Sequence, residues 1–487
     1  ENKFPDKAFR YAESMKARVF LDQLAEGLVN LEEGIKPELK TKRDGIENHL
    51  ARLQKKIQEE AAKSKPDKER IASLKEERSG AEAELEAVKR NIRYENPRYA
   101  SVKYPEPVTI EELQRRILNQ DEVILEYFIA ETGVYCFVVT PDKSEIIRLT
   151  DQVEADVNEW VEFLKTHQPL SAVKRTLAER LYAILIKPVE GYLQGKTVVI
   201  VPDGVLARLP FESLLVPAEE GMTFLVEKHR LKYVQSASIL ALIRTKYDRE
   251  GLSDRFIGFG DPVYDYESFK AGSPEKGSDV EGGTKLAQLS RSGYLRSGGK
   301  LDRLMGSGKE VQEIVKLFGD KGQIGKPLLR IEATETYAKD KGMEDYGYIH
   351  FSTHGILDDK FQAIALSQIP GDAEDGFLTL GEIMNSRYHA RLVVLSACQT
   401  GLGKMERGEG VVGLTRAVMY AGTPATVVSL WSVSDEGTKE LMVRFYENIL
   451  KKKMTKDEAL REAKRSMRAS EDYRHPYYWS AFVMYGE

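Results

Sequence analysis

The sequence predicts an α/β protein whose parallel sheet follows an all-helical N-terminal region. Up to about residue 100 the chain is rich in Lys, Glu, Leu and Ala, and its apolar residues recur at helical spacing. From Val123 onward, short apolar runs of strand length alternate with amphipathic helical patterns, as in βαβ units. At 487 residues the chain has room for about two to four domains, each with its own core.

Residues 1–100 are predicted to be helical. Residues 8–20 alternate small and large apolar residues at helical spacing, as the helices of repeat proteins do, although one unit does not establish a repeat. Two apolar stripes on either side of residues 64–67 predict two helices turned back on each other. This hairpin is either an arm that senses a partner or a spacer with a solvated, charged face. The stripes are Leu39, Ile46, Leu50, Leu53 and Ile57, then Ile71, Leu74, Ala81, Leu85, Val88 and Ile92.

Residues 101–270 are predicted to form a first α/β half. A β-hairpin around Thr132-Gly133, a helix near 173–193 and a strand at Thr197–Pro202 give the alternation of a parallel sheet. Cys136 lies inside an apolar run of the hairpin, so we interpret it as a packing residue.

A flexible linker is predicted between this half and a second α/β half at residues 301–487. Residues 271–300 are dense in Gly, Ser and charged residues and hold few apolar side chains. Such a segment cannot bury enough surface to stay ordered, so we expect a mobile loop. The linker contains Arg291 and Arg296, together with Lys300 at its end.

The second half contains a thiol and an imidazole at the ends of strand-like runs. The apolar run Leu392–Leu395 is typical of a strand buried on both faces, and small residues and then Cys398 follow it. A second run begins at Tyr348 and ends in His354, which Gly355 follows. If the two strands are neighbours, their ends lie roughly 5 Å apart on one sheet edge. A free cysteine at a strand end is also a common core residue, and these residues alone leave both interpretations open.

Five phrases of the second half occur in a fixed order: His354-Gly355, Leu395–Gly401, Gly410–Gly422, Ser429–Asp435 and His475–Phe482. Together they resemble the CHAT family, caspase-like cysteine proteases that usually follow TPR repeats and are related to separase. Tyr233–Leu240 and Phe256–Pro262 of the first half are also similar to CHAT signatures. The resemblance covers most of the chain, and its motifs are specific in combination.

The resemblance implies a caspase-like α/β/α sandwich with a dyad of Cys398 and His354. It also implies that residues 101–270 form an inactive pseudo-caspase half that buttresses the active one. In CHAT proteins a segment like residues 8–20 ends a TPR array. By this resemblance we expect repeats to have been lost upstream of Glu1, and the absence of an initiator Met also suggests a fragment.

The expected reaction is peptide-bond hydrolysis through an acyl-enzyme on Cys398. His354 would deprotonate the thiol and then protonate the leaving amine. The backbone N–H groups of Gly355 and Cys398 would form the oxyanion hole, because a residue without Cβ lets the scissile carbonyl approach closely. No Asp or Asn partner for His354 is evident in the sequence.

Substrate specificity is assigned to the stretch Ser429–Asp435. It resembles the separase and CHAT stretch that borders the substrate, with Asp435 as the acid of the S1 pocket, Trp431 as a subsite wall and Ser429 beside them. An acid there would pair with a P1 arginine in preference to lysine. Alternatively, Asp435 is a helix N-cap and Trp431 a core residue. An acidic S1 pocket would make Arg291 and Arg296 of the linker candidates for self-cleavage.

Composition argues against several other classes. The formal net charge of -5 and the pI near 6.0 predict no direct nucleic-acid binding. Two cysteines are too few for a disulfide framework and fit the reducing cytoplasm. The sequence has no apolar run of about 18 residues, so we expect no membrane-spanning helix. Gly306–Lys309 is similar to a phosphate loop, but Arg303 and Glu310 stand where a Gly and a Ser or Thr are needed. His350 and His354 would be about 13 Å apart along one strand, so we expect no catalytic metal, and we expect no cofactor.

We therefore expect a cysteine endopeptidase that cleaves specific protein targets. It would be latent until a regulatory protein partner engages the N-terminal helices or the missing repeats, in bacterial defence or signalling. A catalytically silent scaffold that binds partners through its helical region is the alternative. A thiol acyltransferase other than a protease would use the same residues.

Overall fold

The computed structural model of the chain separates into two compact units. The smaller unit spans Leu28–Pro107, and the larger unit spans Glu1–Gly27 and Val108–Glu487. Of the predicted linker, 271–300, all but the first two residues lie outside the described residues, and so does Cys398. The described residues are 6–16, 36–61, 67–95, 107–217, 221–246, 251–272, 301–358, 361–396 and 412–487.

The helices of the two units are numbered in chain order. Among the described residues no helix is long and apolar enough to cross a membrane. The helices are α1 (6–16), α2 (Pro37–Ala61), α3 (Lys68–Glu95), α4 (Ile110–Glu112), α5 (Glu154–Leu164), α6 (Ala172–Leu185), α7 (Leu225–Lys228), α8 (Ala237–Lys246), α9 (Tyr266–Lys270), α10 (Met305–Gly319), α11 (Glu335–Ala338), α12 (Leu380–Asn385), α13 (Val412–Tyr420), α14 (Asp435–Leu450), α15 (Lys456–Ala469) and α16 (Pro476–Trp479).

The smaller unit is the predicted helical hairpin of α2 and α3. Ile46 of α2 packs against Ala81, Leu85 and Val88 of α3, so the two apolar stripes face each other. Burial of these stripes holds two charge-rich helices together, because helices of this length gain most of their stability from an apolar face. The prediction of an N-terminal hairpin is confirmed.

Helix α1 belongs to the larger unit. Phe9 and Ala12 join an apolar cluster with residues of the sheet, including Val199. Lys16 forms a buried ion pair with Glu126 at 2.9 Å. The Glu13 carboxylate accepts the N–H group of Ala237 at the first turn of α8 at 3.0 Å. Helix α1 is therefore bound to the sheet by both apolar packing and buried charges.

The larger unit is built on one mixed sheet. Within the described residues eleven strands follow the order β3-β2-β1-β4-β7-β16-β15-β14-β10-β8-β9. A small antiparallel sheet, β11-β12-β13, and a short pair, β5-β6, lie outside it. The strands are β1 (Glu122–Ala130), β2 (Gly133–Val139), β3 (Ser144–Thr150), β4 (Thr197–Val201), β5 (Leu215–Val216), β6 (Thr223–Phe224), β7 (Arg230–Tyr233), β8 (Phe256–Pro262), β9 (Gly325–Arg330), β10 (Tyr348–Ser352), β11 (His354–Asp358), β12 (Phe361–Ala365), β13 (Phe377–Thr379), β14 (Leu392–Leu395), β15 (Ala425–Ser429) and β16 (Phe482–Gly486).

Nine of the eleven strands form two parallel sets that run in opposite directions, and β2 and β3 extend the sheet beyond β1 in antiparallel pairs. Strands β1, β4, β7 and β16 form one set, and β15, β14, β10, β8 and β9 form the other. The sets meet at the antiparallel pair β15–β16, where Val427 faces Met484. Strand β8 precedes the predicted boundary at residue 270 but pairs with β9 and β10 of the second set. The predicted α/β class with parallel strands and N-terminal helices is confirmed.

Strand β10 ends earlier than predicted. The sequence suggested one strand from Tyr348 to His354, but β10 stops at Ser352 and His354 begins β11. The pairing of β10 with β14 ends at Phe351 and its pairing with β8 ends at Ser352, and the chain beyond β10 continues as β11. That strand pairs with β12, where His354 faces Ala365. The chain thus passes from the large sheet to the small sheet at the candidate histidine, where its backbone groups find hydrogen-bond partners in β12.

Candidate active site

The two strands that lead to the candidate dyad are neighbours. Strands β10 and β14 are parallel and hydrogen-bonded, with Phe351 opposite Leu395, so their carboxyl ends share one edge of the sheet. In open α/β sheets this edge is where sites are built. His354 follows β10 at this edge. Cys398 lies three positions after the end of β14, outside the described residues.

His354 is held by a backbone carbonyl. Its side chain is buried, and Nε2 lies 2.8 Å from the carbonyl oxygen of Asp302. A carbonyl oxygen only accepts hydrogen bonds, so this contact requires the proton of neutral His354 to be on Nε2 and the lone pair on Nδ1. Sequence reasoning sought an Asp or Asn side chain for this role. The partner is a main-chain atom, which no residue type identifies.

Tyr264 supports His354 from the segment that follows β8. The two rings are 5.2 Å apart between centroids. The Tyr264 hydroxyl accepts the backbone N–H of His354 at 3.3 Å and donates to the carbonyl of Ala365 at 3.2 Å. It therefore fixes both members of the first pair of β11 and β12. The apolar pattern of Phe256–Pro262 gave no sign of this role.

Gly355, the predicted oxyanion-hole residue, is the second residue of β11 and faces Ile364 of β12. The other predicted donor, the N–H group of Cys398, lies outside the described residues. The oxyanion hole therefore stays a prediction.

Ser429 and Trp431 use their polar groups inside the protein. The Ser429 hydroxyl donates to the carbonyl of Trp431 at 2.5 Å, and the Trp431 indole N–H donates to the carbonyl of Tyr477 at 3.1 Å. Both side chains are buried. These bonds stiffen the turn between β15 and α14. A contact of either residue with substrate stays a prediction.

Asp435 lies where the first turns of two helices meet. It is the first residue of α14, and the N-cap position is taken by Ser434, whose hydroxyl accepts the N–H of Gly437 at 3.3 Å. Asp435 Oδ2 accepts the backbone N–H of Gly306, in the first turn of α10, at 2.9 Å. A Cβ atom at Gly306 would lie only 2.2 Å from the Asp435 Cβ, so this approach requires glycine. The N-terminal ends of both helices favour a negative charge here.

One short segment connects His354 to Asp435. Residues 302–307, which we call the strap, lead into α10 at the carboxyl edge of the sheet. At one end the Asp302 carbonyl accepts from His354, and four residues later the Gly306 N–H donates to Asp435. The structure therefore brings two of the predicted site residues to the same segment.

The stretch that is similar to a phosphate loop has a structural role. Glu310 of α10, which stands where that loop needs Ser or Thr, binds His350 Nε2 at 2.8 Å and the Ser352 hydroxyl at 2.9 Å. All three side chains are buried. His350 Nδ1 is 3.3 Å from the Tyr446 hydroxyl. This network joins α10 and α14 to β10, directly before the chain reaches His354.

Three carboxylates form the one possible metal-ligating group among the described residues: Glu335, Glu374 and Glu382. The Lys339 ammonium lies among them, 2.8 Å from both Glu374 and Glu382 and 3.2 Å from Glu335. Burial and the neighbouring Glu382 carboxylate raise the pKa of Glu335 to about 7, although Lys339 opposes this shift. The cluster fastens the loop before β13, because Glu335 also accepts the N–H of Gly376 at 2.9 Å.

Comparison with known proteins places this site in a family. Human tetratricopeptide repeat protein 28 is 23% identical over 334 residues, which are 63% of this chain and 13% of that protein. Its mouse counterpart is 30% identical over 131 residues, 27% of this chain and 5% of that protein. The chain thus spans only a small part of these relatives.

Two solved structures are similar to this chain at a low level. The Arg-specific cysteine proteinase gingipain R has a TM-score of 0.38 and 11% identity, covering 69% of this chain and 74% of that chain. Separase of Saccharomyces cerevisiae, in its complex with securin, has a TM-score of 0.34 and 12% identity, covering 92% of this chain and 27% of that chain. The model of the CHAT domain matches residues 175–487, more than half of the chain and every predicted site residue. This chain therefore belongs to the CHAT domain family.

Proposed function

We propose that this chain is a cysteine endopeptidase with Cys398 as nucleophile and His354 as general acid and base. The observation that carries the proposal is the 2.8 Å contact between His354 Nε2 and the Asp302 carbonyl at the carboxyl edge of β10. It commits the lone pair of the neutral imidazole to Nδ1, the atom that would take the thiol proton. The strand that leads to Cys398 is the hydrogen-bonded neighbour of the strand that leads to His354.

The reaction follows from these roles. His354 Nδ1 takes the proton of the Cys398 thiol, and the thiolate attacks the carbonyl carbon of the scissile peptide. Backbone N–H groups of Gly355 and Cys398 stabilise the negative charge on the carbonyl oxygen. The carbon–nitrogen bond then breaks as His354 protonates the leaving amine. Water, deprotonated by His354, attacks the thioester, releases the acid product and restores the thiol.

Asp435 is proposed as the acid that binds a P1 arginine, and lysine less well. Support comes from the Gly306 N–H, which fixes the carboxylate at 2.9 Å, and from the strap, which connects it to His354. A fixed carboxylate suits the planar, two-donor guanidinium better than the single ammonium of lysine. Ser429 and Trp431 would shape the adjoining wall from inside the protein.

Activation is proposed to depend on a protein partner that engages the N-terminal helices or TPR repeats outside this chain. Support comes from α1, which is bound to the sheet through Lys16 and Glu126, so a partner that displaced this helix would also act on the sheet. The enzyme would then cleave one or a few cytoplasmic protein targets in bacterial defence or signalling. Cleavage at Arg291 or Arg296 of its own linker belongs to the same proposal.

The test is hydrolysis of fluorogenic peptides with Arg, Lys, Leu or Asp at P1, by the parent chain, Cys398→Ala and Cys136→Ala. Cys136 is a matched control because it is the other of two cysteines and is fully buried in β2. We expect cleavage after Arg that is lost only in Cys398→Ala. Cleavage after Leu alone would keep the dyad and refute the role of Asp435.

If the chain is a catalytically inactive scaffold, no peptide should be cleaved. A latent enzyme is also silent, so labelling with a thiol-directed electrophile separates the two. Burial raises the pKa of the Cys136 thiol, so this residue should not react. Rapid labelling of Cys398 that slows in His354→Ala would support a latent enzyme. Labelling at the rate of an ordinary exposed thiol, unaffected by His354→Ala, would support the scaffold.

A further inference from the structure

We propose that Asp261 is a positioning residue for His354 and acts through Arg303 and the carbonyl of Asp302. This inference rests on the proposed function, because it assigns a role to a residue that does not touch the reacting atoms. It concerns the one contact that fixes the imidazole, the bond from His354 Nε2 to the Asp302 carbonyl.

The Asp261 carboxylate binds the strap through an ion pair with Arg303. Asp261 lies at the carboxyl end of β8 and is almost fully buried. Arg303 Nε donates to Oδ1 at 2.9 Å, and a terminal nitrogen of the same guanidinium donates to Oδ2 at 2.7 Å. A two-donor pair of this kind fixes direction as well as distance. The carbonyl of Asp302 belongs to the peptide bond that enters Arg303, so anchoring Arg303 orients that carbonyl.

The backbone of Asp261 holds the other end of the strap. Its N–H donates to the Ser307 hydroxyl at 2.7 Å, and that hydroxyl donates to the carbonyl of Leu304 at 2.8 Å. A Cβ atom at Gly308 would be 3.0 Å from the Asp261 Cβ, so the first turn of α10 lies directly against this residue. Asp261 thus contacts the strap at two points, Arg303 and Ser307, and the first of these directly follows the Asp302 carbonyl in the chain.

The backbone is strained at Asp261 and at Arg330, two residues that bind each other. Asp261 has a φ of 46°, and Arg330, which faces Pro262 at the end of β9, has a φ of 53°. Both values lie in the left-handed region, which residues other than glycine seldom adopt. Arg330 donates to the Asp261 carboxylate at 2.9 Å and to its backbone carbonyl at 3.2 Å. Strain that persists at a sheet edge because several bonds hold it is typical of functional sites.

The test measures the imidazole contact itself. In protein with isotope-labelled histidine, the solvent exchange of the His354 Nε2 proton is followed by NMR, and its signal among the seven histidines is identified by His354→Gln. The variants are Asp261→Asn, Arg303→Met and Arg303→Lys. We expect exchange to accelerate on the order of tenfold in the first two, because the Asp302 carbonyl is released. Arg303→Lys, which keeps the charge but not the two-donor fork, should give an intermediate rate.

The matched control is Glu212→Gln, which changes another buried carboxylate to an amide. Glu212 pairs with Lys464 at 2.6 Å in a different part of the larger unit. Its loss should lower the melting temperature and leave the His354 proton unchanged. In an active enzyme, Asp261→Asn should lower kcat on the order of tenfold to a hundredfold and change KM by less than about twofold.

Unchanged exchange in folded Asp261→Asn and Arg303→Met would overturn the proposal. If Asp261→Asn does not fold, Arg303→Met decides, because the Arg303 side chain is 30% exposed and its loss costs less packing. Failure of the proposed function is separate. A chain that cleaves no peptide and does not label at Cys398, but whose His354 proton responds to both variants, keeps the positioning role and loses the protease assignment.

Discussion

Replacing Gly306 with alanine should separate the role of Asp435 in specificity from its role in packing. The new Cβ would lie 2.2 Å from the Asp435 Cβ, whereas carbon atoms in contact are about 3.5–4.0 Å apart. One of the two helix ends must therefore move by more than roughly 1 Å, and the Gly306 N–H bond to Asp435 is lost. Overpacking of this kind should lower the free energy of unfolding by about 1–3 kcal/mol.

The effect on catalysis follows from the same displacement. A shift of roughly 1 Å in a substrate-positioning group costs on the order of a hundredfold in rate. We expect kcat/KM for P1-Arg peptides to fall by about that factor, while the thiol reactivity of Cys398 stays the same. The control is Gly319→Ala at the other end of α10, where a Cβ atom meets nothing within 4 Å. Gly306→Ala with control-like stability and Arg cleavage would refute both the contact and the pocket.

Three further outcomes are expected. Glu310→Ala leaves His350 buried without its partner at 2.8 Å, so the free energy of unfolding measured in urea should fall by about 3–5 kcal/mol. Glu313→Ala, at an exposed position of the same helix, is the control and should change it by less than about 0.5 kcal/mol. The pKa of Glu335 is raised from 4.5 to about 7, so between these pH values the folded protein binds a proton that the unfolded chain releases, and the contribution of Glu335 to stability falls as the pH rises. Glu335→Gln should therefore reduce the difference in melting temperature between pH 5 and pH 8. An unchanged difference would contradict the raised pKa. Asp435→Asn should reduce cleavage after Arg far more than labelling of Cys398, and equal losses in both would indicate a structural role alone.

The fold could be predicted from the sequence where the apolar pattern is regular. The stripes around Ile46 and Leu85 predicted the hairpin, and the run Leu392–Leu395 predicted a buried strand, which the structure pairs with the one that begins at Tyr348. The order of the strands could not be predicted. Residues 482–486 look like any buried strand, yet they form the last strand of the first parallel set and join it to the second through the antiparallel pair with β15. Pattern gives the type of element, while pairing depends on contacts between distant residues.

The site could be predicted in part for the same reason. His354 stood out because its residue type carries chemistry and a glycine follows it. The group that holds it could not stand out, because the Asp302 carbonyl is an atom that every residue possesses. Asp261 binds Arg303, which is 42 positions away in the chain, and Tyr264 binds His354, which is 90 positions away. Neither spacing nor composition encodes such distances.

The glycines at 306 and 308 have a role that no sequence motif indicates. The phosphate-loop interpretation fails because the stretch lacks the residues that bind magnesium, but that failure does not explain why glycine is there. The explanation is steric: one glycine admits Asp435 of α14 and the other admits Asp261 of β8 to the first turn of α10. Two carboxylates thereby reach the positive end of one helix, one proposed to bind substrate and the other to orient the base. A substitution at either glycine should therefore impair one function and spare the other, since each glycine lies against a different aspartate.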